Sequence, residues 1–411
     1  MNRSSTTTQS GSPTAARRVC MVTHSFYESD NRVMRYAQTL ARHGYEVDVF
    51  ALRSSPELPR EEMMEGVRVL RIKDRFAKSE QSRLSFFWPL IRFFVAATFG
   101  ICRRNRLCRY DLVHAHNIPD FMVFAAWHAK LTGARVILDI HDIVPEFFAS
   151  KFHSSPSSLS VRALRLVERV SANFADHVII ANHLWLATYT KRSAPAQKCS
   201  VFINNVDAHI FHPRPRASSN GKRILLFPGG LQWHQGVDIA IRAFGKLRTR
   251  LPQAEFHIYG DGMMKPQLVA LAAQLGIAGS VRFFDPLGLR EIAGVMAQAD
   301  LGVVPKRADS FGNEAYSTKI MEFMAAGVPV VAASTKVDRF YFDDTVVRFF
   351  ESGNADALAE AMHEVLVDKK RRRTLVANAS AYAARNGWET SKQAYLQLVD
   401  RLICGQHEAL R

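Results

Sequence analysis

Short apolar runs alternate with longer amphipathic stretches along most of the chain, the pattern of βαβ units wound around a parallel sheet. In the first half, the runs Val19–Thr23, Glu46–Leu52, Val67–Ile72, Leu112–Ala115, Arg135–Ile140, Val178–Ala181 and Ser200–Ile203 predict strands. Amphipathic spacing predicts helices over Asn31–Arg42, Phe86–Arg103, Ile118–Leu131 and Leu159–Asn173. The Pro/Ser/Arg-rich passage from His212 to Gly221 breaks the pattern and reads as an interdomain linker. The alternation restarts with strands at Arg223–Phe227, Phe256–Tyr259, Val281–Phe284, Leu301–Val304 and Val328–Ala332. Helices are expected between them at Val237–Arg248, Met264–Leu275, Leu289–Ala297 and Thr318–Ala326, then at Ala355–Val367, Arg371–Arg385 and Glu389–Ile403.

The expected fold class is therefore α/β, with two Rossmann-like doubly wound domains. The expected boundaries are a disordered tail over 1–18, a first domain over 19–210, a linker over 211–221, a second domain over 222–387 and a C-terminal helix over 388–411. Open sheets of this kind bind ligands beyond the carboxyl ends of their strands, so the cleft between the domains is the expected site.

Composition agrees with two soluble domains: 411 residues, 47% hydrophobic and 22% charged, leave room for two full cores. The Ser/Thr-rich first eighteen residues contain no apolar run of signal-peptide length. Five scattered cysteines (Cys20, Cys102, Cys108, Cys199, Cys404) show no zinc spacing, which points to a reducing cytoplasm without a structural metal. The net charge of +16 is uneven, since residues 1–200 hold 28 Lys+Arg against 17 Asp+Glu and residues 201–411 hold 26 against 21. Such a balance suits nucleic acid, an anionic membrane face or a phosphorylated substrate, but no nucleic-acid motif accompanies it, so no nucleic-acid partner is expected. Within Phe86–Arg104 the longest uncharged run is ten residues. A bilayer span needs about 20, which leaves a buried helix or one lying on an anionic membrane surface. The basic run Lys369–Arg373 reads as the solvated start of a helix.

The most informative segment runs from Glu314 to Glu322, two acids separated by seven residues that include Tyr316, Ser317, Thr318 and Lys319. They flank an expected helix start, where free amides and the helix dipole favour an anion. Were the whole segment helical, the carboxylates would stand about 12 Å apart at about 1.5 Å per residue. That spacing is too wide for one proton relay and suits a ligand that is negative in the middle and hydroxyl-rich at both ends, such as a nucleotide sugar. The first βα turn, Thr23 to Glu28, has no glycine, which argues against a dinucleotide cofactor there.

The chain resembles the retaining glycosyltransferases of family four, with the two-Rossmann GT-B fold, over nearly all of 19–403. In the second half the resemblance rests on Glu314 to Glu322 followed by Met324-Ala325-Ala326-Gly327-Val328-Pro329-Val330, on Phe227-Pro228-Gly229-Gly230-Leu231 before Gly236-Val237-Asp238, and on Ile258-Tyr259-Gly260-Asp261-Gly262. In the first half it rests on Asp30-Asn31-Arg32-Val33, on Asp111-Leu112-Val113-His114-Ala115-His116-Asn117 and on Asp139-Ile140-His141-Asp142-Ile143-Val144-Pro145-Glu146. It implies two domains facing a central cleft, with the C-terminal helix crossing back to the first. It further implies that Glu322 holds the donor ribose, that Glu314 meets the donor sugar and that His141 contacts the transferred sugar or leaving phosphate. Amides around Tyr316, Ser317 and Thr318, and the loop at Gly229 and Gly230, would face the diphosphate or sugar.

Where many relatives carry an arginine and a lysine to clamp the diphosphate, this chain has Gly230 and Gln235. Lys319, Lys306, Arg307 and Arg32 are the candidate replacements. His24, Tyr27, Asn31 and Arg32 are candidate acceptor contacts. No Asp-x-Asp pair occurs, so neither a metal nor another cofactor is expected. The implied activity is transfer of a hexosyl unit, with retention, from a nucleoside diphosphate sugar to a hydroxyl of a lipid-linked or glycan acceptor. The implied setting is cell-envelope or exopolysaccharide assembly at the inner face of the cytoplasmic membrane. The competing readings are a sugar-nucleotide 2-epimerase and a non-catalytic sugar-nucleotide-binding partner subunit.

Overall fold

The computed structural model describes residues 16–75, 83–152, 154–155, 157–215 and 221–409. Most of the expected tail (1–15) and the middle of the expected linker (216–220) lie outside the described residues. Arg18, assigned above to the tail, already pairs in the first strand.

The first half forms β1 (Arg18–Phe26), α1 (Asn31–Arg42), β2 (Glu46–Arg53), β3 (Glu61–Met64), β4 (Val67–Asp74), α2 (Arg83–Leu107), β5 (Leu112–His116), α3 (Trp127–Leu131), β6 (Arg135–Ile140), α4 (Val144–Lys151), α5 (Leu159–Phe174), β7 (His177–Ile180), α6 (His183–Arg192) and β8 (Cys199–Val201). The strands order as β3-β4-β2-β1-β5-β6-β7-β8, parallel except for the β3–β4 hairpin. The second half forms β9 (Arg223–Pro228), α7 (Val237–Arg250), β10 (Ala254–Tyr259), α8 (Lys265–Gln274), β11 (Val281–Phe284), α9 (Leu289–Gln298), β12 (Leu301–Val304), α10 (Thr318–Ala325), β13 (Val330–Ala333), α11 (Lys336–Tyr341), β14 (Arg348–Phe350), α12 (Ala355–Val367), α13 (Lys369–Arg385) and α14 (Trp388–Ala409). Its parallel sheet runs β11-β10-β9-β12-β13-β14. The strand order reverses at β1/β5 in one sheet and at β9/β12 in the other, and these are the two points where such sheets open a crevice for ligands.

Both sheets are buried on both faces, which explains their continuous apolar strands. One face of the first sheet is covered by α2, α3, α5 and α6; α1 and α14 cover the other. The chain end thus returns to the first domain. Trp388 Nε1 donates to Thr39 Oγ1 at 3.0 Å, and the Tyr395 ring lies 4.3 Å from that of Tyr36. The expected helix over Ile118–Leu131 is instead a 3-10 turn over Asp120–Ala126 that leads into the short α3. Lys369–Arg373 opens α13 facing solvent, apart from a half-buried Arg372.

This packing buries several histidines. Burial holds His24 and His177 at about 4, and it lowers His114 and His116 as well. Each stays neutral in the fold while the unfolded chain protonates near 6.5, so the unfolded state binds more protons as pH falls from that value toward 4. These histidines therefore draw stability down across that window, by roughly 3 kcal/mol for each one lowered from 6.5 to about 4, against the opposite pull of Asp120 and Asp142, which burial raises to about 7 and about 6. Urea midpoints measured from neutral pH downward test this. His24→Phe should lose less stability on acidification than the wild type, and an identical pH dependence in the two proteins would contradict it.

Candidate active site

The two switch points face each other across the cleft, and the loops leaving them carry the candidate chemistry. After β9 the chain turns through Gly229, Gly230 and Leu231 into a 3-10 turn at Trp233–Gln235. Gly229 adopts φ +141°, and the β10 loop presses against it so closely that a Cβ on Gly260 would stand 1.9 Å from the Gly229 carbonyl oxygen. Only glycine tolerates this approach. Gly230 is exposed with open space where its Cβ would be, so a ligand can lie directly on its backbone.

After β12 an irregular loop over residues 305–317 leads to α10. Ser317 caps that helix without a side-chain hydrogen bond, which leaves first-turn amides and the helix dipole available to an anion. Lys319 lies in this first turn. Its Nζ donates to Gln235 Oε1 at 3.0 Å, and its Cε would be 2.5 Å from a Cβ built on Gly229. The ammonium therefore rests on the Gly229–Gln235 loop, beside the position where the expected clamp lysine is missing. Burial lowers the Lys319 pKa, with Glu322 opposing. One turn further on, Glu322 is raised by burial and pulled back by Lys319 and Thr318.

Glu314 sits in the loop before α10, outside the helix. Asn182, the N-cap of α6 in the first domain, donates across the cleft to the Glu314 carbonyl at 3.0 Å, and the Glu314 carboxylate lies 3.8 Å from Lys336. Phe311 in the same loop packs on Phe147 of the first domain, with ring centroids 5.5 Å apart. Tyr316 turns its ring against Tyr341 and Phe342, so its contribution to a ligand is through its backbone.

The other candidate cations are engaged elsewhere, which corrects the expectation for three of them. Lys306 is buried, paired with Asp338 at 2.9 Å and bonded to the Ala315 carbonyl at 2.6 Å. Arg307 forks onto Asp238 at 2.9 and 2.7 Å and stacks over Trp233. Both brace the loop, Lys306 because a buried charge needs a partner and Arg307, half-buried, by its fork onto Asp238. Arg32 is buried in the first domain, forks onto Asp139 at 2.8 and 2.7 Å and donates to the Phe202 carbonyl at 2.8 Å.

Asp139 organises the first domain's side of the cleft. Its Oδ2 also accepts from His116 Nδ1 at 3.0 Å and His141 Nε2 at 3.1 Å. Burial opposes its ionisation, but Arg32 and the histidines hold its carboxyl well below the usual range. With Nε2 committed to Asp139, the Nδ1 of His141 has no hydrogen-bond partner among the described residues, so its lone pair is available to a hydroxyl. His114, His116 and Asp139 lie close enough to share an ion. Asp139 already gives both oxygens to Arg32, however, and of the two histidines only His116 bonds to it, His114 pairing with the Tyr395 hydroxyl instead. His116 and Asp139 belong to the quoted motifs but received no role from the sequence, and Asn182 was not named; for Asp139 the available signal was its i, i+2 relation to His141 at a strand end, which puts both on one side.

One candidate acceptor contact is also corrected: Tyr27 is fully buried in the core. His24 is half-buried, with its ring 5.1 Å from that of Phe93. Asn31 opens α1 half-buried.

Comparison with known proteins gives two family matches, "Glycosyl transferase 4-like domain" over residues 29–205 and "Glycosyl transferases group 1" over 210–382. The chain is 28% identical to the D-inositol 3-phosphate glycosyltransferase of Thermobispora bispora, covering 90% of each. It is 27% identical to that of Actinosynnema mirum, covering 89% of each. Among solved structures it is similar to sucrose-phosphate synthase from Thermosynechococcus elongatus, with TM-score 0.74, 19% identity and coverage of 95% of this chain and 100% of that one. It is also similar to Anabaena HepE in complex with UDP and glucose, with TM-score 0.69, 18% identity and coverage of 93% and 99%.

Proposed function

Because this chain belongs to the group 1 glycosyltransferases, with a 4-like first domain and the GT-B fold, we propose that it moves a hexosyl unit, with retention, from a nucleoside diphosphate sugar to an acceptor hydroxyl. The observation that carries this reading is the second domain's switch point, where Lys319, the uncapped start of α10 and the bare backbone of Gly229 and Gly230 converge. Glu322 lies one helical turn away, and an ionised carboxylate can accept from both hydroxyls of a ribose. Amides, a helix terminus and an ammonium then stabilise the charge that builds on the leaving diphosphate. Across the cleft, His141 is positioned by Asp139 to meet the sugar or the leaving phosphate, and the departing phosphate itself helps take the acceptor proton. The acceptor is a lipid-linked or glycan hydroxyl in cell-envelope or exopolysaccharide assembly at the inner face of the cytoplasmic membrane. No described helix is long and apolar enough to cross a membrane.

Titrating the protein with UDP, GDP and ADP while following its melting temperature tests the donor site, since a ligand at a hundredfold excess over its Kd adds about 2.7 kcal/mol to stability. Glu322→Ala should remove that gain, whereas Glu314→Ala should keep it and lose turnover. Because burial raises Glu322 above its ordinary 4.5, the gain should fade on acidification before an exposed glutamate would protonate. NMR of the product anomer reports retention. Free isomerised nucleotide sugar would favour an epimerase, and nucleotide binding without transfer to any acceptor would favour a partner subunit.

A further inference from the structure

The sequence left α2 as either a core helix or a surface one, and the structure divides its apolar residues between the two sides. Phe93, Ala97 and Ile101 are buried in the first domain's core. Trp88, Val95 and Phe99 point outward with 64%, 60% and 78% of their surface exposed. The same outer layer continues over α3, where Leu131 is 77% exposed, and α5, where Leu166 is 61% exposed. All three helices cover one face of the same sheet, with α2 and α5 both packed against the 3-10 turn that leads into α3.

Charge distinguishes the kind of partner. Arg92, Arg103 and Arg106 of α2 and Arg162 and Arg169 of α5 are exposed around these apolar residues. α2 and α3 contain no carboxylate, and the one on α5, Glu168, is buried under Arg192. Arginine beside aromatic side chains also suits a protein interface, but a second copy of this equally basic face would repel it, and a face of one charge sign calls for an anionic partner. Here arginines are interleaved with tryptophan, valine and phenylalanine, an arrangement suited to acyl chains below and anionic headgroups around the guanidinium groups. The start of α2 also lies near the cleft, because Phe87 is 6.2 Å from Phe148 of α4, whose neighbour Phe147 packs on Phe311 of the second domain.

We propose that the outer side of α2, α3 and α5 docks on an anionic lipid bilayer and so holds the cleft beside the membrane surface. The docking stands on exposure and charge alone; only its use, delivery of a lipid-borne hydroxyl to the donor, rests on the reading above. Flotation with vesicles of equal parts phosphatidylglycerol and phosphatidylcholine tests it. The wild type should float with these vesicles and not with pure phosphatidylcholine. Trp88→Ser/Val95→Ser/Phe99→Ser and, separately, Arg92→Glu/Arg103→Glu/Arg106→Glu should each lower the bound fraction by about tenfold or more. Both variants should keep the wild-type melting temperature and its rise with nucleoside diphosphate, so loss of docking is read apart from loss of the donor site. Vesicle binding that survives both triple substitutions overturns the proposal. So does a wild type that ignores vesicles and forms a dimer broken by the apolar substitutions.

Discussion

Lys319→Met is expected to lower kcat/KM by about 100- to 1000-fold, the range seen when one preorganised donor is removed from a charge-stabilising site. The ammonium lies on the loop where the expected arginine and lysine are replaced by Gly230 and Gln235, and the other three candidate cations are held elsewhere by Asp139, Asp338 and Asp238. Charge grows on the leaving diphosphate between ground and transition states, so most of the loss should fall on kcat. Methionine keeps the length and apolar stem of the side chain, which limits the change to the charge. A second substitution separates this role from packing. Gln235 stands 3.0 Å from the Lys319 ammonium, so Gln235→Lys in the Lys319→Met background should return a cation to nearly the same point and recover much of the activity. Wild-type kcat/KM in Lys319→Met would remove Lys319 from the site.

The fold was legible because its elements are buried on one or both faces and their apolar period says which. Asn31–Arg42, Arg135–Ile140, Val281–Phe284 and Ala355–Val367 have the expected boundaries. What escaped was short or edge-bound: β3 reads Glu-Glu-Met-Met, and α11 and β14 are six and three residues long, too short for a period to emerge. The segment after Asn117 has helical composition, yet it closes as a 3-10 turn wedged between β5, α2 and α5. Tertiary packing overrode local preference there.

The site was legible in a different measure. The sequence places residues on loops at the carboxyl ends of strands, and Gly229, Glu314, Lys319 and His141 do lie on such loops or on the first turn of α10, with Glu322 one turn further along that helix. It does not show which charges are already neutralised within the fold. Arg32, Lys306 and Arg307 are as cationic in sequence as Lys319, and only their carboxylate partners, 107 residues away for Arg32, disqualify them as phosphate ligands. Buried ion pairs of this kind are properties of tertiary structure that no local pattern encodes.

That hidden pairing carries the second large expectation. Arg32→Met and Asp139→Asn should each destabilise the protein by about 3–5 kcal/mol, because each strands a partner charge in the interior. Arg32 would keep the Phe202 carbonyl and the Tyr36 ring but no carboxylate, and Asp139 would keep only His116 and His141. The double variant Arg32→Met/Asp139→Asn removes both charges and should cost clearly less than the sum of the singles, a coupling that urea midpoints at unchanged m-value report. Additive costs would mean that the pair contributes nothing through mutual compensation. Once stability is recovered in the double variant, its activity becomes informative. Asparagine offers one acceptor oxygen where the carboxylate serves Arg32, His116 and His141 together. His141 then loses the partner that fixes its proton on Nε2, and turnover should fall by at least about 100-fold while the melting-temperature gain from nucleoside diphosphate, a property of the opposite domain, stays as in the wild type. Loss of that gain as well would show that the network shapes the whole cleft and that positioning His141 is only part of its role.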